Sequence, residues 1–143
     1  MALILLIDDD SSLRGLLQMV LSTNGHSVIE ASNGRDGLEL FSVAEPDLVI
    51  TDIVMPEMEG IEVMIELRKN PRGAKIIAMS GGGRQGAMDY LRIAQLLGAG
   101  KVIVKPFANT TLLAAVEELL AGSESVRPIP VAASTGDRLT GVR

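Results

Sequence analysis

A chain of 143 residues is the size of one domain with a single core, and 47% hydrophobic with 22% charged residues is an ordinary globular composition. Thirteen Lys and Arg against eighteen Asp and Glu leave a net charge of -5, and the aromatics are only Phe41, Tyr90 and Phe107, so direct nucleic-acid binding by phosphate tracking or base stacking is excluded. Zero cysteines exclude disulfides, thiolate metal sites and cysteine nucleophiles, and no apolar run approaches the roughly 20 residues that cross a bilayer. Met1 leads straight into an apolar run and Asp8, Asp9 and Asp10, without the basic region and cleavage site of a signal peptide, which predicts a cytoplasmic protein without membrane insertion.

In chain order, the first element is an apolar run over residues 3–7, read as a strand buried on both faces. Leu13, Leu16, Leu17, Val20 and Leu21 follow at helical spacing, and Asn24 and Gly25 stop that helix. Residues 27–31 alternate and carry Glu30, which suits a strand at a sheet edge; His26 before them reads as a solvated turn residue. A helical pattern around Leu38 and Phe41, a strand over 48–51, a helix over 61–68 and a strand over 76–79 come next. A helix over 88–97, a strand over 102–104 and a helix over 112–120 complete the series. Strict alternation with short loops implies parallel strands joined by right-handed crossovers, hence an α/β doubly wound five-stranded sheet with helices on both faces. The pattern ends near Ala121, which predicts a domain over residues 1–122 and a disordered tail or linker over 123–143, rich in Ser, Thr, Pro, Gly and Arg.

Ligands of open parallel sheets bind outside the carboxyl ends of the strands, so the residues that follow each apolar run matter most. Asp8 and Asp9 follow the first strand, Asp52 the third, Ser80 the fourth and Lys105 the fifth. Three carboxylates on one rim repel unless a cation lies among them, and Mg²⁺, a hard ion with oxygen ligands, resolves that repulsion. Ser80 and Lys105 are suited to the remaining oxygens of a phosphoryl group. Helix capping accounts for single members of this set, and Asp10 or Ser11 does that job before the first helix, but capping does not require Lys105 after an apolar strand. Pro106 constrains the backbone after Lys105, and a cis bond there would aim the ammonium inward.

The string Leu6-Ile7-Asp8-Asp9-Asp10, the segment from Thr51-Asp52 through Met55-Pro56 to Gly60, the Ala78-Met79-Ser80-Gly81 turn and Val104-Lys105-Pro106-Phe107 together resemble a bacterial two-component response regulator receiver domain, over residues 1 to about 122. The resemblance implies a flavodoxin-like sheet of order 2-1-3-4-5. It also implies a phosphoacceptor at Asp52, charged from a phosphohistidine on a sensor histidine kinase or histidine phosphotransfer protein. It implies Mg²⁺ held by Asp8, Asp9, Asp52 and the backbone carbonyl of Val54, phosphoryl contacts from Lys105, and Ser80 as the switch hydroxyl. Signalling to a downstream protein target would then follow from the face of the fourth helix, fifth strand and fifth helix, here including Tyr90 and Lys101. Met55 and Met58, which flank Pro56 beside the proposed site, are expected to contact a kinase or phosphotransfer partner. The protein would catalyse its own phosphorylation and dephosphorylation without being a conventional enzyme.

Three departures from the family pattern stand out. Val102 occupies the place where many receivers carry an aromatic residue, the loop after Ser80 carries Gly81, Gly82, Gly83 and Gly86, and neither Val54 nor Gly82 offers a polar side chain to orient water, which predicts slow self-hydrolysis. Rival readings are a haloacid-dehalogenase-like phosphatase built on Asp8 and Asp10, a non-phosphorylated receiver-like interaction module, and a domain cut from a longer regulator. The phosphatase reading lacks a late acidic pair, since the only aspartate beyond Lys105 is Asp137, and it leaves Asp52 without a role.

Overall fold

The computed structural model describes residues 1–53, 60–71, 73–81, 92 and 94–122. Val54, Met55, Met58, Gly82, Gly83, Gly86, Tyr90 and the segment 123–143 lie outside the described residues. The strands are β1 (Leu3–Ile7), β2 (Ser27–Ala31), β3 (Leu48–Asp52), β4 (Ile76–Gly81) and β5 (Lys101–Lys105). All pairings are parallel and the order is β2-β1-β3-β4-β5, with the alternating, Glu30-bearing β2 at one edge, β5 at the other, and the apolar β1 and the fully buried β3 inside.

Local chemistry sets the helix boundaries. Helix α1 (Ser11–Thr23) starts where Asp10 Oδ1 accepts from the amides of Ser12 at 3.0 Å and Leu13 at 3.1 Å, so Asp10 is the N-cap. It stops at Asn24, after which Gly25 takes φ 94°. Helix α2 (Gly34–Ala44) is capped by Asn33, whose side chain accepts from Asp36 N at 2.8 Å, and ends at the left-handed Glu45. Helix α3 (Gly60–Arg68) and a C-terminal helix (Asn109–Ala121) follow, and helical residues at Arg92 and 94–96 fall in the stretch where a further helix is expected. None of the helices among the described residues is long and apolar enough to cross a membrane.

The pleat sends successive strand residues to opposite faces, which divides the core in two. Ile4, Leu6, Ile50, Ile77 and Met79 pack with Leu17 and Leu21 of α1 and Leu112 and Val116 of the C-terminal helix. Leu5, Ile7, Val49 and Ala78 pack on the other side with Phe41 of α2 and Val63, Met64 and Leu67 of α3. Helices therefore cover both faces, and polar side chains of the strands are left to gather at the strand ends.

His26 is not the solvated turn residue expected from the sequence; its side chain is only 4% exposed. Its amide donates to Leu21 O at 3.1 Å and the next amide donates to Ala2 O at 2.9 Å, which draws the turn inward. The ring then lies beside the C-terminal helix, with Nε2 at 3.7 Å from the Glu117 carboxylate.

Candidate functional site

Asp52, Ser80 and Lys105 are not loop residues beyond their strands, as the apolar runs alone suggest. They are the last or penultimate strand residues, because the ladder continues past the apolar stretch: Asp52 pairs with Met79, Ser80 with Val104 and Gly81 with Lys105. Ladder bonds hold their backbones, which makes their positions more rigid than a loop would.

The five residues meet at the carboxyl edge. Asp8 is fully buried and Asp52 is 7% exposed, whereas Asp9 is exposed, and one carboxylate oxygen from each lies within 4.8 Å of the others. Lys105 Nζ donates to Asp52 Oδ2 at 3.2 Å and to Asp8 Oδ2 at 3.4 Å. The peptide bond between Lys105 and Pro106 is cis. Ser80 is buried beside this cluster in the register, one residue beyond the partner of Asp52.

Backbone donors and close packing fix the carboxylates. Asp8 Oδ1 accepts from Asp10 N at 2.9 Å, and Asp52 Oδ1 accepts from Ile53 N at 2.9 Å. Thr51, itself fully buried, donates its hydroxyl to Asp52 O at 3.0 Å. Gly60 N donates to Ile53 O at 2.6 Å, and a Cβ at Gly60 would fall on Asp52 O and lie 2.6 Å from Ile53 Cα. The glycine is what lets α3 begin against the end of β3.

Among the described residues of the pocket, carboxylates outnumber the ammonium groups paired with them. Burial pushes the Asp8 carboxyl above its ordinary value, with Asp9 adding to the shift, and the Asp10 amide and Lys105 offset only part of it. Burial likewise raises Asp52, against Lys105 and with Asp8. Burial works against the charge on Lys105, but the attraction of Asp52 and Asp8 outweighs it and its value is raised. Among the described residues Lys105 pairs with Asp8 and Asp52 while Asp9 has no such partner, and an all-oxygen, net-negative donor set of this kind fits a hard divalent cation.

The geometry includes residues that the sequence patterns did not single out. Arg14 of α1 donates from Nη1 to the Asp8 carbonyl at 2.7 Å and from Nε to Glu30 at 3.0 Å. Its signal was faint: one basic residue a turn into a helix that begins beside three acidic ones.

Known proteins share this arrangement of chain and fold. A family profile described as a response regulator receiver domain matches residues 4–117. The chain is 35% identical to chemotaxis protein CheY of Halobacterium salinarum, over 82% of this chain and 95% of that protein. It is 38% identical to CheY of Thermotoga maritima, over 81% and 95% respectively. Against the longer alkaline phosphatase synthesis transcriptional regulatory protein PhoP of Bacillus subtilis it is 32% identical and spans only 51% of that protein. Among solved structures, a receiver domain protein from Clostridium thermocellum superposes with TM-score 0.79 at 28% identity, covering 87% of this chain and 98% of that one. From the matched profile and the relatives aligned over nearly their whole length, the chain belongs to the two-component response regulator receiver family, whose members act in phosphorelay signalling.

Proposed function

We propose that Asp52 is the phosphoacceptor of this receiver, taking its phosphoryl group from a phosphohistidine on a sensor histidine kinase or phosphotransfer protein. The observation that carries this reading is the setting of Asp52: a buried carboxylate at a strand end, 3.2 Å from the Lys105 ammonium and clustered with Asp8 and Asp9. A carboxylate oxygen of Asp52 attacks phosphorus, the P–N bond to the donor imidazole breaks with its electron pair staying on nitrogen, and an acyl phosphate results. A Mg²⁺ ion held by Asp8, Asp9, Asp52 and the Val54 carbonyl would neutralise charge on the transferring oxygens. Lys105 supplies a fixed positive charge beside the nucleophile and steadies the phosphoryl oxygens once they arrive. Ser80, held by β4, offers its hydroxyl to the same oxygens, and its preference for bonding them biases the protein toward a signalling conformation.

The receiver unit is residues 1–122, with 123–143 a tail or linker, in a cytoplasmic protein that signals by changing its contacts with a target protein. The family match ends at residue 117 and the last helix at Ala121, which supports that boundary. Intact mass after incubation with acetyl phosphate and Mg²⁺ tests the chemistry. One added phosphoryl group is expected, labile to hydroxylamine, lost with a chelator and absent in Asp52→Ala. An adduct that persists in Asp52→Ala would overturn the assignment. Because neither Val54 nor Gly82 carries a polar side chain to orient water, the adduct is expected to outlast a chase of many seconds after the donor is removed.

A further inference from the structure

We infer that Arg14 is a positioning residue for the acidic pocket, a clasp that sets the backbone of the Asp8-Asp9-Asp10 turn so that its carboxylates converge on a cation. This rests on the metal-site reading above. Arg14 occupies the first turn of α1, where its amide donates to Asp10 O at 2.9 Å. Its guanidinium, 18% exposed, reaches back over the turn, with Nη1 on the Asp8 carbonyl at 2.7 Å and Nε on Glu30 Oε1 at 3.0 Å. Glu30 stands on β2, the neighbour of β1, so the fork ties helix, turn and edge strand together.

The turn depends on this tie. Asp8 N is anchored on Ala31 O at 3.1 Å and Asp8 Oδ1 takes the Asp10 amide, but the Asp8 carbonyl is held by Arg14. The peptide that begins at that carbonyl carries Asp9, the exposed member of the three-carboxylate cluster. Rotation of this peptide would swing Asp9 out of reach of Asp8 and Asp52. Glu30 also pairs with the guanidinium, which therefore braces the turn through a neutral carbonyl rather than competing for the pocket carboxylates. Only a planar fork meets both acceptors at once.

The sign of the effect separates this role from the general field of a positive charge. Removing a cation near carboxylates strengthens divalent-ion binding by electrostatics alone, whereas removing a brace weakens it. Calorimetric titration of Mg²⁺ into the metal-free full chain, for the wild type, Arg14→Met and Arg14→Lys, reads the difference, with thermal melting of each variant as the folding control. Arg14→Met is expected to weaken Mg²⁺ binding roughly tenfold, in the range typical of outer groups that orient metal ligands. Arg14→Lys, which keeps the charge and loses the fork, is expected to weaken it by a smaller factor. Binding by Arg14→Met as tight as the wild type or tighter, in a cooperatively melting protein, overturns the inference. If Arg14→Met does not fold, wild-type affinity in Arg14→Lys overturns it instead. Failure of the wild-type chain to bind Mg²⁺ would instead remove the metal-site reading, and this inference with it.

Discussion

Asp8 shows how one buried side chain sets the terms for the whole pocket. Its carboxyl is raised above 3.8 by burial, so the folded protein holds that proton more tightly than the unfolded chain does. For the metal-free protein the linkage has one sign: the contribution to stability is fully present below the unfolded value and is lost as pH climbs through the raised folded one. Asp52 shifts in the same direction for the same leading reason. Asp8→Asn, which keeps an oxygen to accept the Asp10 amide, is therefore expected to stabilise the metal-free protein at neutral pH by on the order of 1 kcal/mol. It should also flatten the fall of stability with rising pH in that window. Chemical denaturation across pH checks this, and a neutral-pH loss of stability would contradict it. Adding Mg²⁺ should narrow or reverse the ranking, because the wild type, with all three carboxylates, then gains the larger binding energy.

Among the elements, the junction of β3 and α3 is the least forgiving. A methyl group at Gly60 would meet the backbone of Asp52 and Ile53, which has no rotamer by which to withdraw. Gly60→Ala is expected to cost more than about 2 kcal/mol, beyond any helix-propensity gain of roughly 0.5–1 kcal/mol, and to slow phosphorylation of what still folds. Gly37→Ala in α2 makes a useful contrast, because there the added Cβ meets the side chain of Ile7, which can shift. Denaturant midpoints of the two variants should differ clearly. Much of this level was legible in the sequence. Uniformly apolar runs marked β1, β3 and β4 as strands covered on both faces, and Glu30 marked β2 as an edge. The equally apolar run 102–104, read the same way, instead belongs to the other edge strand, where Val104 is 43% exposed. Strand ends were less legible, since Asp52, Ser80 and Lys105 look like loop residues until the ladder is seen to run through them. The Arg14 clasp and the burial of His26 were harder still, because each depends on a partner brought near by the fold, 16 residues away for Glu30 and on another helix for Glu117.

The whole molecule is an arrangement in which two apolar layers hold five strands rigid and leave one rim for chemistry. Its candidate site was readable from the sequence because parallel strands place every carboxyl end on the same side, so residues far apart in the chain share one address. The core among the described residues is complete by the C-terminal helix, whose Leu112 and Val116 are fully buried. A chain ending at residue 122 is accordingly expected to melt within a few degrees of the full chain and to bind Mg²⁺ alike; a large drop in its melting temperature would move the domain boundary outward. His26 gives this architecture a further use. It is the only histidine in the chain and sits at the amino edge of the sheet, a strand length of about 17 Å from the rim that holds Asp52. In a proton NMR spectrum the Hε1 and Hδ2 signals of its imidazole belong to this one residue, so the molecule carries its own unlabelled reporter. Movement of those signals on treatment with acetyl phosphate and Mg²⁺ would read whether a change at the proposed Asp52 site reaches the far end of the sheet, without a probe being added.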